Sequence, residues 1–168
     1  MPHVIVESDA SQPEGSPSDL LTFSVETIDL LALLSFGYAE PFGSQHQLTL
    51  FVRRLRQQHG IDITPLMTFY DRDVTDDEDL ANLEAAWQPA AALSATLQAT
   101  LAALSDDAKT AALLDGFDQL NILLPELSAM ADWAAAREAR IRLSFSMDPA
   151  PADQANGSND ADGNPTQE

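Results

Sequence analysis

The run Tyr70-Asp71-Arg72-Asp73-Val74-Thr75-Asp76-Asp77-Glu78-Asp79 holds the densest reactive chemistry in the chain. Asp71 and Asp73, with Thr75 two residues further on, have the types and spacing for phosphoryl transfer. One carboxylate would attack phosphorus and the other would protonate the leaving oxygen; Thr75 would position the phosphate, with Lys109 and a divalent metal countering its charge. The same letters also start a helix. Thr75 followed by Glu78, ahead of an apolar repeat, is a capping box, and the neighbouring acids suit the positive end of a helix dipole.

Structural context chooses between the two readings. Asp-x-Asp-x-Thr is similar to the nucleophile motif of phosphatases of the haloacid-dehalogenase type, which implies a first aspartate ending a parallel strand of a doubly wound sheet. Here Thr64-Pro65 precedes the motif, and most of the chain carries helical patterns. The helix start is preferred, and the Asp71/Asp73 pair stays as the alternative catalytic site. A calcium loop from Asp71 would need glycine sixth and glutamate twelfth, where Asp76 and Asn82 stand. His3, His46 and His59 lack the paired spacing of metal ligands and read as surface histidines. No Gly-x-Ser-x-Gly elbow or glycine-rich phosphate loop is present, so the expectation is no cofactor and no metal. Glu40, Pro41 and His46 are residue types of the Glu-Pro-x-Asp-His signature of redox-enzyme maturation chaperones, but the spacing differs and the aspartate is missing.

The whole chain is acidic: 168 residues carry a net charge of −19. Attraction to nucleic acid or an anionic membrane needs a basic face, so neither is expected as a partner. A basic protein partner is the simpler expectation, although a genome or salt adaptation would produce the same bias. No cysteine is present, so packing rather than disulfides or thiolate metal sites must hold the fold. No signal-like segment opens the sequence and no apolar run could span a bilayer, which points to the cytoplasm.

The elements that would position these residues are mostly helical. Residues 1–17 read as a polar, proline-rich mobile arm around Val4-Ile5-Val6, 18–147 as one helical domain, and 148–168 as a disordered acidic tail. Apolar residues from Asp19 to Phe36 predict a buried helix. Ser44-x-x-Gln47 predicts the start of an amphipathic helix ending at Gly60, with Arg53, Arg54 and Arg56 near its negative end. Thr64-Pro65 predicts a short helix carrying Leu66, Phe69 and Tyr70. Steps of three and four from Leu80 to Leu104 predict a seam broken at Pro89, with Trp87, Leu97 and Leu101 in the core. Two further helices follow, the last running toward Arg140. From Arg140 to Ser146 the pattern alternates strictly, so Ile141, Leu143 and Phe145 would share one face of a short strand. That strand would need Val4–Val6 or another molecule as partner; the competing reading is a frayed helix end.

The fold expectation is therefore all-α, a single multi-helix bundle with a short C-terminal strand. The functional expectation is a non-enzymatic helical protein–protein interaction or regulatory module: an adaptor, a chaperone-like protein or an accessory subunit. Arg53, Arg54, Arg56, Ile141, Leu143 and Phe145 are its candidate contact residues, and homo-oligomerisation is left open. The rivals are a phosphohydrolase using Asp71 and Asp73, and an acidic DNA mimic that occupies a basic protein.

Overall fold

Two helices, α5 (Ala90–Asp106) and α7 (Leu120–Ala135), pack lengthwise at the centre of the core in a computed structural model that describes residues 2–10 and 22–147. Their buried faces follow the helical repeat: Ala90, Leu93, Leu97 and Ala103 on one, Leu120, Leu124, Leu127, Ala131 and Ala134 on the other. Alanine at several of these positions lets the backbones approach. Polar groups at the contact are satisfied, since Ser94 and Gln98 both donate to the Asp132 carboxylate and Thr100 donates back to the Thr96 carbonyl at 2.8 Å.

Helices α1 (Ile28–Tyr38), α2 (Gln47–His59) and α3 (Thr64–Met67) complete that layer, with a 3-10 turn at Glu40–Phe42. The short helices α4 (Asp77–Ala85) and α6 (Ala108–Ala112) flank it. Helix ends are set by side chains of the expected kind at shifted positions. Asp76 rather than Thr75 caps α4, accepting from the Asp79 amide at 2.9 Å, while Asp79 reaches back to the amide and hydroxyl of Thr75. His46 rather than Ser44 caps α2 through Nδ1, at 3.1 Å from the Leu48 amide. Aspartate caps as well as threonine does, so the local sequence leaves the starting residue open. At Pro89 the predicted seam divides into α4 and α5, because proline is accepted readily at a helix entrance and poorly inside one.

The molecule is mainly helical, yet it carries a mixed sheet beyond the single strand expected. β1 (His3–Ser8), β2 (Thr22–Glu26), β3 (Phe69–Asp71), β4 (Gln88–Pro89) and β5 (Arg140–Ser146) are joined in the order β2-β1-β5-β3, with β4 also on β5. β5 pairs antiparallel with β1, Val4 opposite Phe145 and Val6 opposite Leu143, which is the intrachain pairing that the alternation invited. β1 has β2 on its other side, and β3 runs parallel to β5. Three expectations are corrected here. His3–Ser8, assigned by composition to an arm, is an inner strand. The predicted helix from Asp19 begins only at Ile28, because Thr-Phe-Ser-Val-Glu alternates and β1 offers an edge; its residues 19–21 lie outside the described residues. Phe69 and Tyr70 belong to β3 rather than to α3. The tail 148–168 and arm residues 11–17 also lie outside the described residues.

Pairing puts Val4, Val6, Ile141, Leu143, Phe145 and Phe69 on one face of the sheet, against the helices. Glu7, Arg142, Ser144, Tyr70 and Arg72 lie on the other. That second face is partly covered as well: Arg142 stacks over Trp87 at 4.5 Å and donates to the Leu83 carbonyl at 3.4 Å. These contacts leave Arg142 only 9% exposed, and Ser144, whose hydroxyl accepts from Arg72 at 3.2 Å, is fully buried.

Candidate docking site

The carboxylates singled out for catalysis stand at the open end of β3. Asp71 ends a strand parallel to β5, the one structural requirement of a phosphatase that this region meets. Its Oδ1 accepts from the Asp73 amide at 2.9 Å, forming a turn, and Asp73 accepts from the Ser146 hydroxyl at 3.2 Å. Thr75 donates its hydroxyl to Asp79 at 2.6 Å, and Lys109 sits on α6, which packs on α2 and α5. The acid–hydroxyl–lysine constellation is thus not brought together. Among the described residues no three histidine or acidic side chains form a metal-ligand cluster.

Each candidate arginine is held by an internal acid, and none faces the run at 71–79. Arg53 Nε and Arg56 Nη2 both donate to Glu40 Oε1, at 3.2 and 2.7 Å. Burial raises the Glu40 pKa, but the two guanidinium donors outweigh it and hold the carboxyl below its ordinary value. Arg54 donates to Asp107 at 2.9 Å, and His59 Nε2 and Thr110 Oγ meet the same oxygen at 3.0 and 2.7 Å. Thr110, His59 and Asp107 resemble a nucleophile–base–acid set by residue type. However, His59 approaches both the hydroxyl and the carboxylate with one nitrogen, at 3.2 and 3.0 Å, whereas a relay needs them on opposite nitrogens. Ile141 and Leu143 are core residues, and Phe145 is half-buried against Phe69, ring centroids 5.9 Å apart. The histidines are not free on the surface either: His46 stacks on Phe36 at 3.7 Å, and His3 Nδ1 is buried.

A different surface stands out. Two adjoining depressions, of about 580 and 360 Å3, share Tyr38, Met67 and Thr68 and run from the 3-10 turn to the edge of β3. The first is walled by Pro41, Phe42 and Ile63, with Glu40 and Arg56 at its side; the second by Phe69, Tyr70, Asp71 and Phe145. Along this groove Tyr38 is 65% exposed, Phe42 81% and Tyr70 38%. Gly37 shapes the floor, since a Cβ there would lie 2.5 Å from Met67 Sδ.

No family model, curated protein or solved structure matches the chain. The site must be read from its own chemistry. Scattered exposed apolar residues are ordinary, but here Phe42 lines the first depression, Tyr70 the second and Tyr38 both, a row of exposed aromatic side chains beside a sheet edge. Sequence patterning missed Tyr38, Phe42 and Met67. The only signal for Tyr38 and Phe42 was an aromatic pair in a glycine- and proline-rich stretch, which the structure divides between the end of α1 and the 3-10 turn.

Proposed function

We propose that the protein is a non-enzymatic interaction module that binds a basic protein partner through the groove running from Phe42 past Tyr38 to Tyr70. The observation carrying this reading is the row of exposed aromatic side chains beside the end of the sheet. Aromatic rings give large contact area at small entropic cost and anchor interfaces out of proportion to their number. Charge supports a basic partner: Asp71, Asp73, Asp76, Asp77 and Glu78 follow directly from the groove, and the ion pairs of the described residues use none of them. An adaptor or accessory subunit fits this description.

Selecting a random displayed peptide library on the wild-type protein, and on Tyr38→Ser/Phe42→Ser in parallel, tests the proposal. Both positions are exposed, so the variant should keep its stability within about 0.5 kcal/mol. The expected result is peptides rich in Lys or Arg and in apolar residues that the variant fails to hold. Equal retention by both proteins, or no enrichment, would sink it. A second reading, the phosphohydrolase, has one feature in its favour: Asp71 ends a parallel strand. Magnesium-dependent hydrolysis of p-nitrophenyl phosphate that disappears in Asp71→Asn would replace the interaction reading with that one.

A further inference from the structure

We infer that the partner segment adds to β3 as an extra strand, an extended basic peptide whose backbone bonds the outer edge of Phe69–Asp71 while its side chains enter the groove; this rests on the docking reading above. The backbone geometry leads to it. Arg72 N donates to the Phe145 carbonyl at 2.8 Å, and the register pairs Phe69 with Leu143 and Asp71 with Phe145. In a parallel ladder the bonded residues alternate, so Tyr70 and Arg72 face β5 and the amides and carbonyls of Phe69 and Asp71 face outward. β3 lies at the end of the strand order, and no described segment pairs with that outer edge. An edge of this kind is a template for a further strand.

The side chains match the backbone. On an added strand, successive residues would point alternately to the two sides of the sheet. On one side they would meet Tyr38, Phe69 and Phe145, and on the other Tyr70. Backbone bonding would supply affinity and the aromatic walls would select apolar side chains.

Charge selects the occupant. A second copy of this chain, joined edge to edge, would bring Asp71, Asp73 and the acids of α4 against their own equivalents, and like charges across an interface are costly. The segments 11–21 and 148–168 contain aspartate and glutamate and no lysine or arginine, so neither complements this rim. A foreign segment with Lys or Arg among apolar residues does, and its encounter with a chain of net charge −19 is steered electrostatically.

The test uses the full chain and a fluorescein-labelled, acetylated and amidated peptide, Lys-Val-Lys-Val-Lys-Val-Lys, followed by fluorescence anisotropy. A strand bonds each neighbour through alternate residues. Methylating every valine nitrogen in one analogue and every inner lysine nitrogen in another should therefore weaken binding about tenfold or more in only one of the two. Binding should weaken as salt rises, the Glu-Val-Glu-Val-Glu-Val-Glu peptide should not bind, and the Phe69 and Asp71 amides should gain protection from hydrogen exchange. If neither methylated analogue loses affinity while Tyr38→Ser does, strand addition is wrong and the groove reading stands. Absence of binding by the lysine peptide, with the library selection also empty, removes both. A dimer that forms on concentration and protects Phe69 and Asp71 without peptide would assign the edge to a second copy and overturn the inference.

Discussion

Asp107 and Asp76 both cap helices with a carboxylate oxygen and stand in opposite electrostatic surroundings. Asp107 Oδ1 accepts from the Lys109 amide at 3.0 Å, while its other oxygen is gripped by Arg54, His59 and Thr110; the Thr110 and Arg54 donors hold the carboxyl well below its usual range. Asp76 accepts from the Asp79 amide, and among the described residues no basic side chain pairs with it or with Asp73, Asp77, Glu78 or Asp79. The contrast extends over the molecule. Arg53, Arg54, Arg56, Arg72, Arg140 and Arg142 are ion-paired to Glu40, Asp107, Glu7 and Asp9, leaving few of the eight basic side chains for the remaining acids. Acids that tie elements together hold the cations, whereas Asp71, Asp73 and Asp76 to Asp79 beside the groove enter no ion pair among the described residues.

Breaking a tied acid should have the largest effect. Glu7 joins β1 to Arg72 and Arg142, with contacts of 2.9 and 2.8 Å, and Arg142 is only 9% exposed. Glu7→Ala leaves that guanidinium only the more distant, exposed Glu84 carboxylate at 3.6 Å and should cost about 1–3 kcal/mol in urea denaturation, less than a fully buried pair because Glu7 retains some solvent. A cost under about 0.5 kcal/mol would put Glu7 in the same class as the free acids.

Acid titration sharpens the same division. Burial raises the pKa values of Glu7, Glu40 and Asp9, but their arginine donors outweigh it, and all three lie below the ordinary values, as does Asp107. Groups with depressed native pKa values stabilise the fold fully above their unfolded values, near 4, and lose that contribution as pH falls through the native ones. Urea midpoints should therefore decline as pH is lowered below about 4, and the decline should be shallower in Glu7→Gln. A midpoint unchanged between pH 5 and pH 3 would show that the arginine contacts contribute nothing net. Next in size, Asp76→Ala should cost about 0.5–2 kcal/mol as a lost helix cap, with Thr75→Ala cheaper because Thr75 lies one residue outside it. The reverse order would restore Thr75 as the cap.

Local patterns carried much of this architecture. The alternation at 140–146 marked a strand and named Val4–Val6, inside the expected arm, as one of two candidate partners; together they are the β1–β5 ladder. The last long helix, expected to run toward Arg140, is α7, whose leucines lie at the centre of the core. Period failed where two templates overlap: 22–26 sits in an apolar stretch that also suits a helix, and only the open edge of β1 decides it. On α5 the seam named both Leu97 and Leu101, yet Leu97 is fully buried and Leu101 half-buried, because its neighbours set the depth of each position. The arginines on α2 were read from the helix dipole alone, while Arg54 is fixed by Asp107, 53 residues away. The groove was least legible: Tyr38, Phe42, Met67 and Tyr70 come from separate elements and share no spacing, so tertiary packing alone assembles them.

The smallest effect on stability should come from the free acids, and it separates folding from binding. Asp77 and Glu78 are exposed in the first turn of α4 and enter no ion pair among the described residues. Their charges gain a little from the helix dipole, typically about 0.3–1 kcal/mol each at low salt, and lose some of it to repulsion from Asp73, Asp76 and Asp79. Asp77→Asn/Glu78→Gln should therefore leave the urea midpoint within the range of ordinary surface changes, about 0.5 kcal/mol. Binding of the lysine–valine peptide should respond differently, because these carboxylates open the helix that directly follows β3 in the chain and add to the negative charge there. Affinity should drop and its slope against salt should flatten, since fewer screened pairs remain. If the variant binds with the same affinity and the same salt slope, the acids of α4 take no part in recognition, and the division between tying and free carboxylates describes stability alone.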